Sequence, residues 1–256
     1  MANTFVVLYQ GFMNLPYFWI ILIVSLLATL LTTIIYKYTT DQKRLKEIKK
    51  EMKELKIKLS KNKKDQKKVM SIQKEMLDHN MVMMKQSFKS MLYTFIPLIL
   101  VFTWMAATMA FEPVQPNSNV TINAVISNSY PGELTAVKIS SIPATNITRN
   151  LGYAPDNEKN KEIQWIMQTK EVGTYTIMIE SETFKQSKEI LVTTGRKYST
   201  PVSVYKESQL KQIIVGNEKV RPMPGIPVLK NFGWLGTYIV LSILLSIGIR
   251  KLMDVA

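Results

Sequence analysis

Three long stretches of the chain contain no charged side chain. They run from Tyr17 to Tyr36, from Ser90 to Phe111 and from Asn231 to Ile249. A helix that rises about 1.5 Å per residue needs roughly 20 residues to cross a hydrocarbon core about 30 Å thick. The pattern therefore predicts three transmembrane helices in a multi-pass membrane protein.

A cleaved signal peptide is the alternative interpretation of the first stretch. Such a peptide has basic residues before its apolar run and a small-residue cleavage site after it. Here the lysines follow the run, starting at Lys37. We therefore expect a permanent span.

Between the first two spans, apolar residues recur at the alternating spacing of three and four that is typical of a coiled coil. Residues 60–68 then contain no apolar side chain, and the pattern resumes out of phase at Val69. Two helical arms that fold back at about residues 60–65 explain the change of phase, so we predict an antiparallel coiled-coil hairpin. A parallel dimeric coil is the alternative. The positions of this hairpin seam are Leu45, Ile48, Met52, Leu55 and Leu59 in the first arm and Val69, Ile72, Met76, His79 and Met83 in the second.

The second arm also has methionines that lie outside the hairpin seam when successive residues are placed 100° apart around the helix axis. Methionine is unbranched and polarizable and suits surfaces that accept varied apolar partners. This face is a candidate surface for capturing client proteins, and packing against lipid or a neighbouring helix is the alternative. Its residues are Met70, Met81, Met84 and Met91.

Each span carries polar residues along one helical face near the same predicted side of the membrane. If the three faces converge, they form a polar groove that is open on that side. Bonds back to each helix's own carbonyls, or close helix packing, are the alternative explanation for each face. The groove candidates are Ser25, Thr29, Thr32, Thr33 and Tyr36 in the first span, Tyr93 and Thr94 in the second, and Ser242, Ser246 and Arg250 in the third.

Residues 112–222 change to the alternating period of β-strands, as in "VTINAVIS" and "LTAVKISSI", with Asn, Pro and Gly between the runs. About 110 residues suffice for one β-sandwich. Gly173 lies two residues before Tyr175 in "GTYTIMI", which is similar to the tyrosine corner of immunoglobulin-like domains, and Trp165 is a core candidate. We predict an immunoglobulin-like β-sandwich between the second and third spans, without a disulfide because the chain has no cysteine.

The distribution of charge predicts the orientation. Residues 37–89 contain 17 Lys and Arg against 7 Asp and Glu, whereas residues 112–222 contain 13 against 11. Because cytoplasmic loops carry an excess of Lys and Arg, the hairpin and the C-terminus lie in the cytoplasm and the N-terminus lies outside. Topology thus accounts for most of the net charge of +14, and no motif for a specific nucleic-acid sequence occurs.

The spans, the orientation and the β-rich region together predict five segments in a plasma-membrane protein. Residues 1–36 form the outside N-terminus and first span, 37–89 the cytoplasmic hairpin, 90–111 the second span, 112–222 the extracytoplasmic β-sandwich, and 223–256 the third span with the cytoplasmic C-terminus.

Catalytic chemistry is not indicated by any motif. The single histidine, His79, has no cysteine or second histidine to complete a metal site, so we expect neither enzyme activity, nor a metal, nor a cofactor. Asn119 and Asn146 begin the two Asn-x-Thr sequons, and both lie in the predicted outside domain as candidate glycosylation sites.

The span order, the basic hairpin, the methionines before the second span and the closing "GWLGTYIVLSILLSIGIRKLM" together resemble the YidC/Oxa-type membrane protein insertases. The likeness is to the three-span archaeal branch, which is related to the insertase subunit of the eukaryotic endoplasmic-reticulum membrane complex. It covers residues 17–111 and 230–253, and the outside domain departs from minimal members of the family.

The resemblance implies a groove through which client spans enter the bilayer without nucleotide hydrolysis. Our functional hypothesis assigns capture to the methionine face and the attraction of acidic client flanks to Arg250 or Lys89. The implied partners are newly made membrane proteins and the lipid bilayer, with the ribosome, through the basic hairpin, and accessory membrane subunits as further candidates. Two rival classes stay open: a structural or sensory protein that binds a ligand through its outside domain, and an ion-conducting pore.

Overall fold

The structure is a computed structural model that describes residues 2–133, 136–150 and 160–255. The chain divides into two compact units. The helical unit consists of Met1–Trp104 and Pro222–Ala256, and the β unit consists of Met105–Arg221.

Five helices occur in the described residues: α1 (Ala2–Met13), α2 (Tyr17–Thr39), α3 (Gln42–Lys61), α4 (Gln66–Met109) and α5 (Trp234–Leu252). Among them, α2, α4 and α5 are long and apolar enough to cross a membrane, which confirms the three predicted apolar helices. Helix α1 was not predicted, since its residues were assigned only to the segment before the first span.

Helices α3 and α4 form the arms of a hairpin. Asp41 caps α3 by accepting a hydrogen bond from the backbone N–H of Arg44 at 3.0 Å, and Asp65 receives one from Lys68 at 3.2 Å at the start of α4. This backbone donor lowers the pKa of Asp65. Carboxylates at these positions satisfy N–H groups that have no partner within the helix, so the turn at residues 62–65 separates two independently capped helices.

Contacts between the arms show that they run antiparallel. The Nε2 atom of His79 lies 3.2 Å from a carboxylate oxygen of Glu51, and the backbone N–H of Asp41 donates to the Gln86 side chain at 3.3 Å. The side chains of Leu45, Ile48 and Leu55 are buried. The apolar face of α3 is therefore covered within the helical unit.

Helix α4 has 44 residues and is continuous from the second arm into the second span, with Pro97 inside it. At about 1.5 Å per residue it is roughly 66 Å long, about twice the thickness of the hydrocarbon core. The proposed boundary at Lys89 and Ser90 therefore lies within one uninterrupted helix.

The most extensive contact between helices joins α2 and α5. Near their C-terminal ends, the Lys37 Nζ donates to the carbonyl of Met253 at 3.0 Å, and the Arg250 guanidinium lies 5.0 Å from the centre of the Tyr36 ring. Since these ends meet and the helices pack along their length, α2 and α5 run in the same direction.

The β unit contains eight strands in the described residues: β1 (Asn119–Ser127), β2 (Lys138–Ile142), β3 (Ile147–Asn150), β4 (Asn160–Gln168), β5 (Gly173–Glu180), β6 (Lys185–Val192), β7 (Val202–Val204) and β8 (Leu210–Val215). They form a five-stranded sheet in the order β3-β4-β1-β8-β7 and a three-stranded sheet in the order β2-β5-β6. The predicted β-rich region is thus confirmed. Leu134 and Thr135, at the start of one predicted strand, lie outside the described residues.

Inward-facing side chains of both sheets form one hydrophobic core. Trp165 belongs to it and is 2% exposed. At the start of β5, the Tyr175 hydroxyl donates to the carbonyl of Glu171 at 3.2 Å and accepts from the N–H of the same residue at 3.1 Å. The phenol therefore ties the β4–β5 turn to the core.

Both ends of the β unit's chain lie at one edge. The N–H of Glu112 donates to the carbonyl of Glu218 at 2.8 Å, and Phe111 forms a bridge with Lys219. Strand β8 pairs antiparallel with β1, so the chain returns to the place where it entered. This arrangement suits a domain inserted between two spans.

Candidate functional site

A groove of about 450 Å³ lies among α2, α4 and α5, which are the three candidate spans. Its walls combine hydroxyl groups, one guanidinium and aliphatic side chains. The lining residues are Thr29 and Thr32 of α2, Leu98 of α4, and Tyr238, Ser242, Ile243, Ser246, Ile247 and Arg250 of α5. The structure therefore brings the predicted polar faces of the first and third spans together.

Other predicted groove residues of α2 lie beside this lining. Ser25 and Thr33 are buried, and Tyr36 lies under the Arg250 guanidinium. The hydroxyls of Thr32 and Thr33 both donate to the carbonyl of Thr29, at 3.0 and 2.7 Å. Bonds back to carbonyls of the same helix thus satisfy two hydroxyls of the polar face, as in the alternative explanation for these faces. Thr29 and Thr32 nevertheless line the groove.

Arg250 supplies the positive charge of the groove. A cation about 5 Å above an aromatic ring is attracted by the negative face of the ring, so Tyr36 restrains the guanidinium at the end of α5 where Lys37 and Lys251 also lie. Arg250 remains exposed, which leaves it accessible to an anionic group. Lys89, the other predicted cation, is exposed on α4 and is not among the lining residues.

The predicted polar face of α4 is not brought into this groove. Tyr93 is 57% exposed, and the Thr94 hydroxyl donates to the carbonyl of Met91 on its own helix at 3.0 Å. Helix α4 contributes Leu98, one turn further along nearly the same face as Thr94. The α4 wall of the groove is therefore apolar.

All four methionines predicted for client capture are exposed, with exposed fractions between 46% and 65%. By contrast, Met76 and Met83 of the predicted seam are half-buried. The structure adds exposed apolar residues to the same face of α4, and together these residues recur at the three-and-four spacing of one helical stripe. This α4 stripe comprises Met70, Leu77, Met81, Met84, Phe88, Met91 and Phe95.

Leu77, Phe88 and Phe95 were not among the predicted residues of this face, because the prediction rested on methionine alone and not on every apolar residue there. The signal was present in their spacing. Projected at 100° per residue, the stripe occupies a sector of about 80° and is centred roughly 125° from the seam. It continues from the hairpin arm into the second span without interruption.

The two sequon asparagines are exposed and lie near each other on the five-stranded sheet. Asn119 of β1 pairs with Gln168 of β4, and the N–H of Gln168 donates to the carbonyl of Asn146, just before β3, at 3.0 Å. The three residues thus form one row across adjacent strands, so Asn119 and Asn146 are about 10 Å apart.

These features define a class: a multi-pass membrane protein with a polar groove among its spans and a β domain between the second and third. Residues 6–126 match the family model described as integral membrane protein EMC3/TMCO1-like. That family belongs to the YidC/Oxa1/Alb3 insertase-related superfamily. No curated protein and no solved structure matches the chain.

The matched segment is a little under half of the chain and contains the first two spans, both hairpin arms and most of β1. The match supports the resemblance to insertase-related proteins over residues 6–126. The match ends before α5 and so does not include the closing segment "GWLGTYIVLSILLSIGIRKLM", which was part of the resemblance.

Proposed function

We propose that this protein is a membrane protein insertase of the YidC/Oxa type. The observation that carries the proposal is the groove: hydroxyls from α2 and α5 and one arginine line a 450 Å³ depression among three membrane-crossing helices. The match of residues 6–126 to the EMC3/TMCO1-like family supports the same function. The archaeal three-span branch, a kinship with the endoplasmic-reticulum insertase subunit and a plasma-membrane location are further parts of the proposal.

The physical task of the groove is to lower the barrier for polar flanks of a client span. A charged side chain at the centre of a bilayer costs about 2.5–3.5 kcal/mol on insertion scales. Hydroxyls and a guanidinium shorten the apolar distance that such a group must cross. A central Leu or Ile contributes about −0.3 to −0.6 kcal/mol, so a sufficiently apolar client span drives its own partition into lipid without nucleotide hydrolysis.

The α4 stripe provides the approach to the membrane. Because its seven apolar side chains are exposed at heptad-like spacing, the stripe offers a complementary surface to an apolar client helix. Lys67, Lys74 and Lys85 border it on one side in the helical projection. They suit clients with acidic flanks, and the orientation with the hairpin in the cytoplasm, proposed from the charge distribution, places the stripe where nascent chains emerge.

Photo-crosslinking tests both surfaces. With a benzophenone amino acid at Thr29 or Met84 in lipid nanodiscs, we expect adducts to a client span held on a stalled ribosome. Matched probes at Leu27 and at Ile57, which are exposed but lie off the groove and off the stripe, should give much weaker adducts. Equal labelling from all four positions, or none, would contradict the proposal.

Charge reversal tests the role of the groove cation. Arg250→Glu should impair the insertion of clients with acidic translocated flanks into proteoliposomes, while clients with neutral flanks should be inserted as before. Lys89→Glu is the matched control, since Lys89 is a cation near the same membrane side but outside the groove lining. Unchanged insertion by the Arg250 variant removes the charge role.

The coiled-coil character of the hairpin and the immunoglobulin-like fold of the β unit also belong to this proposal. In immunoglobulin constant domains the sheets have the orders A-B-E-D and C-F-G. Naming β1 to β6 as strands B to G reproduces C-F-G as β2-β5-β6, and β8-β1-β4-β3 reproduces A-B-E-D with the last long strand in the place of A. The Tyr175 hydroxyl bonds near the start of the F equivalent support the same assignment.

A second candidate function is the binding of a ligand or partner by the β unit. A polar cleft of about 630 Å³ favours it, since the cleft is lined by Lys185, Lys206 and Lys211 together with Glu207 and several hydroxyl and amide side chains. Loss of insertion activity without change in folding after Lys206→Glu and Lys211→Glu would indicate that partner binding contributes to the function. Full activity would separate the cleft from insertion.

A further inference from the structure

Three hydroxyl groups are buried in the helical unit without a hydrogen-bond partner among the described residues. They are the Oγ atoms of Ser25 and Ser242 and the Oγ1 atom of Thr237. Ser25 and Thr237 have an exposed fraction of 0%. Buried polar atoms in folded proteins almost always have a partner, and each exception requires an explanation.

Neighbouring hydroxyls show that a simpler solution exists on the same helix. Thr33 and Thr39 each donate to the carbonyl four residues earlier, at 2.7 Å in both cases. Ser and Thr in helices use this bond readily when no other partner is present. Ser25, Thr237 and Ser242 do not make this bond in the described residues.

Along the α2–α5 contact, Ser25 lies at a depth between those of Thr237 and Ser242. Lys37 of α2 contacts Met253, which lies 216 positions later in the chain. The contact between Tyr36 and Arg250 gives a similar difference in residue number between facing positions of α2 and α5. The same offset puts Ser25 opposite residues 239–241 of α5. Thr237 and Ser242 therefore lie within about one helical turn, roughly 5.4 Å, on either side of Ser25.

This hydroxyl cluster begins where the groove lining ends. Ser242 lines the groove, whereas Ser25 and Thr237 do not. Thr29, one turn from Ser25, is the nearest lining residue on α2. The cluster thus extends from the groove toward the N-terminal ends of α2 and α5, where Ile20 and Ile21 are fully buried.

We propose that the hydroxyl cluster binds internal water that bridges α2 and α5 and continues the polar path beyond the groove. A hydroxyl both donates and accepts, and a buried water molecule needs two to four polar partners. Ser25 can share one water molecule with Thr237 and another with Ser242. Thr237 and Ser242 lie five residues apart on α5, about 140° around the helix and about 7.5 Å along it, so no single water molecule bonds both. They carry no negative charge, so they favour water over a cation, which is bound preferentially by carboxylate and carbonyl oxygens.

The site has a consequence for the helix contact. Because water-mediated hydrogen bonds join α2 to α5 at this depth, the two helices are held partly by exchangeable molecules rather than by dry packing alone. The buried isoleucines close the path on the far side. This inference concerns the protein without a client, so it goes beyond the proposed function and does not depend on it.

Water-edited solid-state NMR of the full chain in lipid bilayers tests the proposal. Polarisation from water should reach the Cβ–H signals of Ser25 and Thr237 several-fold faster than those of Thr33 and Ala28. Thr33 is the matched control because it is equally buried but bonded to its own helix. Build-up for Ser25 and Thr237 as slow as for Thr33 would overturn the proposal, as would signals that appear only when Na⁺ or K⁺ is added.

The change in melting temperature on substitution gives an independent test. If water bridges the cluster, Thr237→Val deprives Ser25 of its bridge and lowers the melting temperature by a few degrees, on the order of 2–4 °C. If the hydroxyl has no partner at all, the isosteric valine raises it. A shared water also predicts that Ser25→Ala has a smaller effect in the Thr237→Val background than alone, and additive effects would contradict sharing.

Discussion

Individual hydroxyls on the spans differ in what they bond to, although their sequence context is alike. Thr32, Thr33 and Thr94 bond to carbonyls of their own helices. Ser25 and Ser242 have no such partner in the described chain. A polar stripe in a span is therefore a set of residues with separate roles, and only some of them line the groove or hold water.

In the β unit, Lys188 is a buried polar residue whose side chain has hydrogen-bond partners. It is 6% exposed, and its ammonium donates to the carbonyl of Thr200 at 2.6 Å and to the Ser203 hydroxyl at 2.7 Å. Burial lowers its pKa because the charged form loses hydration. These bonds join β6 to β7, the edge strands of the two sheets.

The lowered pKa makes a prediction about stability. The unfolded state binds the proton more tightly than the folded state, so the contribution of Lys188 to stability rises as pH increases from the folded pKa to the ordinary lysine value of about 10.4. The difference in melting temperature between wild type and Lys188→Met should therefore grow in favour of wild type over this interval. A difference that is constant with pH would contradict the prediction.

At the scale of elements, the hairpin depends on the buried face of α3. Ile48 is 0% exposed, and Ile57 on the same helix is 55% exposed. Ile48→Ala should destabilise the hairpin by about 2–5 kcal/mol, because it removes buried methyl groups and leaves a cavity. Ile57→Ala should change stability by less than about 0.5 kcal/mol. Hydrogen exchange of the α3 amides measures both, and equal protection in the two variants would contradict the assigned face.

The direction of the arms gives a distance prediction. Because Asp41 contacts Gln86, spin labels at Lys43 and Lys85 should show a short distance within one molecule by double electron–electron resonance. The absence of native cysteine allows these two sites to be labelled alone. Dilution with unlabelled protein should leave the distance unchanged, whereas a parallel dimeric coil would lose the signal.

The α4 stripe is an element-scale feature with a functional prediction. Replacing Met84 and Phe88 together by Gln should reduce client crosslinking at Thr29 several-fold without lowering the melting temperature, since both side chains are exposed. Ile57→Gln is the control for adding a polar group to the hairpin. A loss of crosslinking in the control as large as in the double variant would contradict capture by the stripe.

At the scale of the whole molecule, the strand order of the β unit follows from its place in the chain. A domain inserted between two spans needs its first and last residues at the same edge, and β1 and β8 meet this need by pairing antiparallel. In the proposed immunoglobulin-like assignment, a strand from the end of the domain occupies the position of strand A. The connection between spans thus accounts for the permuted order.

The proposed orientation also belongs to this scale. With Ser60→Cys at the hairpin and Glu182→Cys in the β5–β6 turn, a membrane-impermeant maleimide should label the Glu182 variant in intact cells. It should label the Ser60 variant only after permeabilisation. Both residues are exposed, so accessibility to solvent is matched, and the reverse pattern would invert the topology.

The sequence alone determined the features that depend on local periodicity and charge. Runs of about 20 apolar residues indicated the three spans because backbone polar groups in lipid must be satisfied within a helix. Alternation indicated the strands of "VTINAVIS" and "GTYTIMI", and angular projection separated the exposed Met81 and Met84 from the half-buried Met83. Each of these signals is contained within a short segment.

Only the tertiary structure decided which faces meet. The rotation of α4 relative to α2 and α5 puts Leu98 into the groove lining and leaves Tyr93 exposed. The position of Ser25 opposite residues 239–241 of α5 likewise depends on packing between residues more than two hundred positions apart in the chain. Helix rotation, register between helices and strand order arise from long-range contacts, and periodicity along one segment does not contain them.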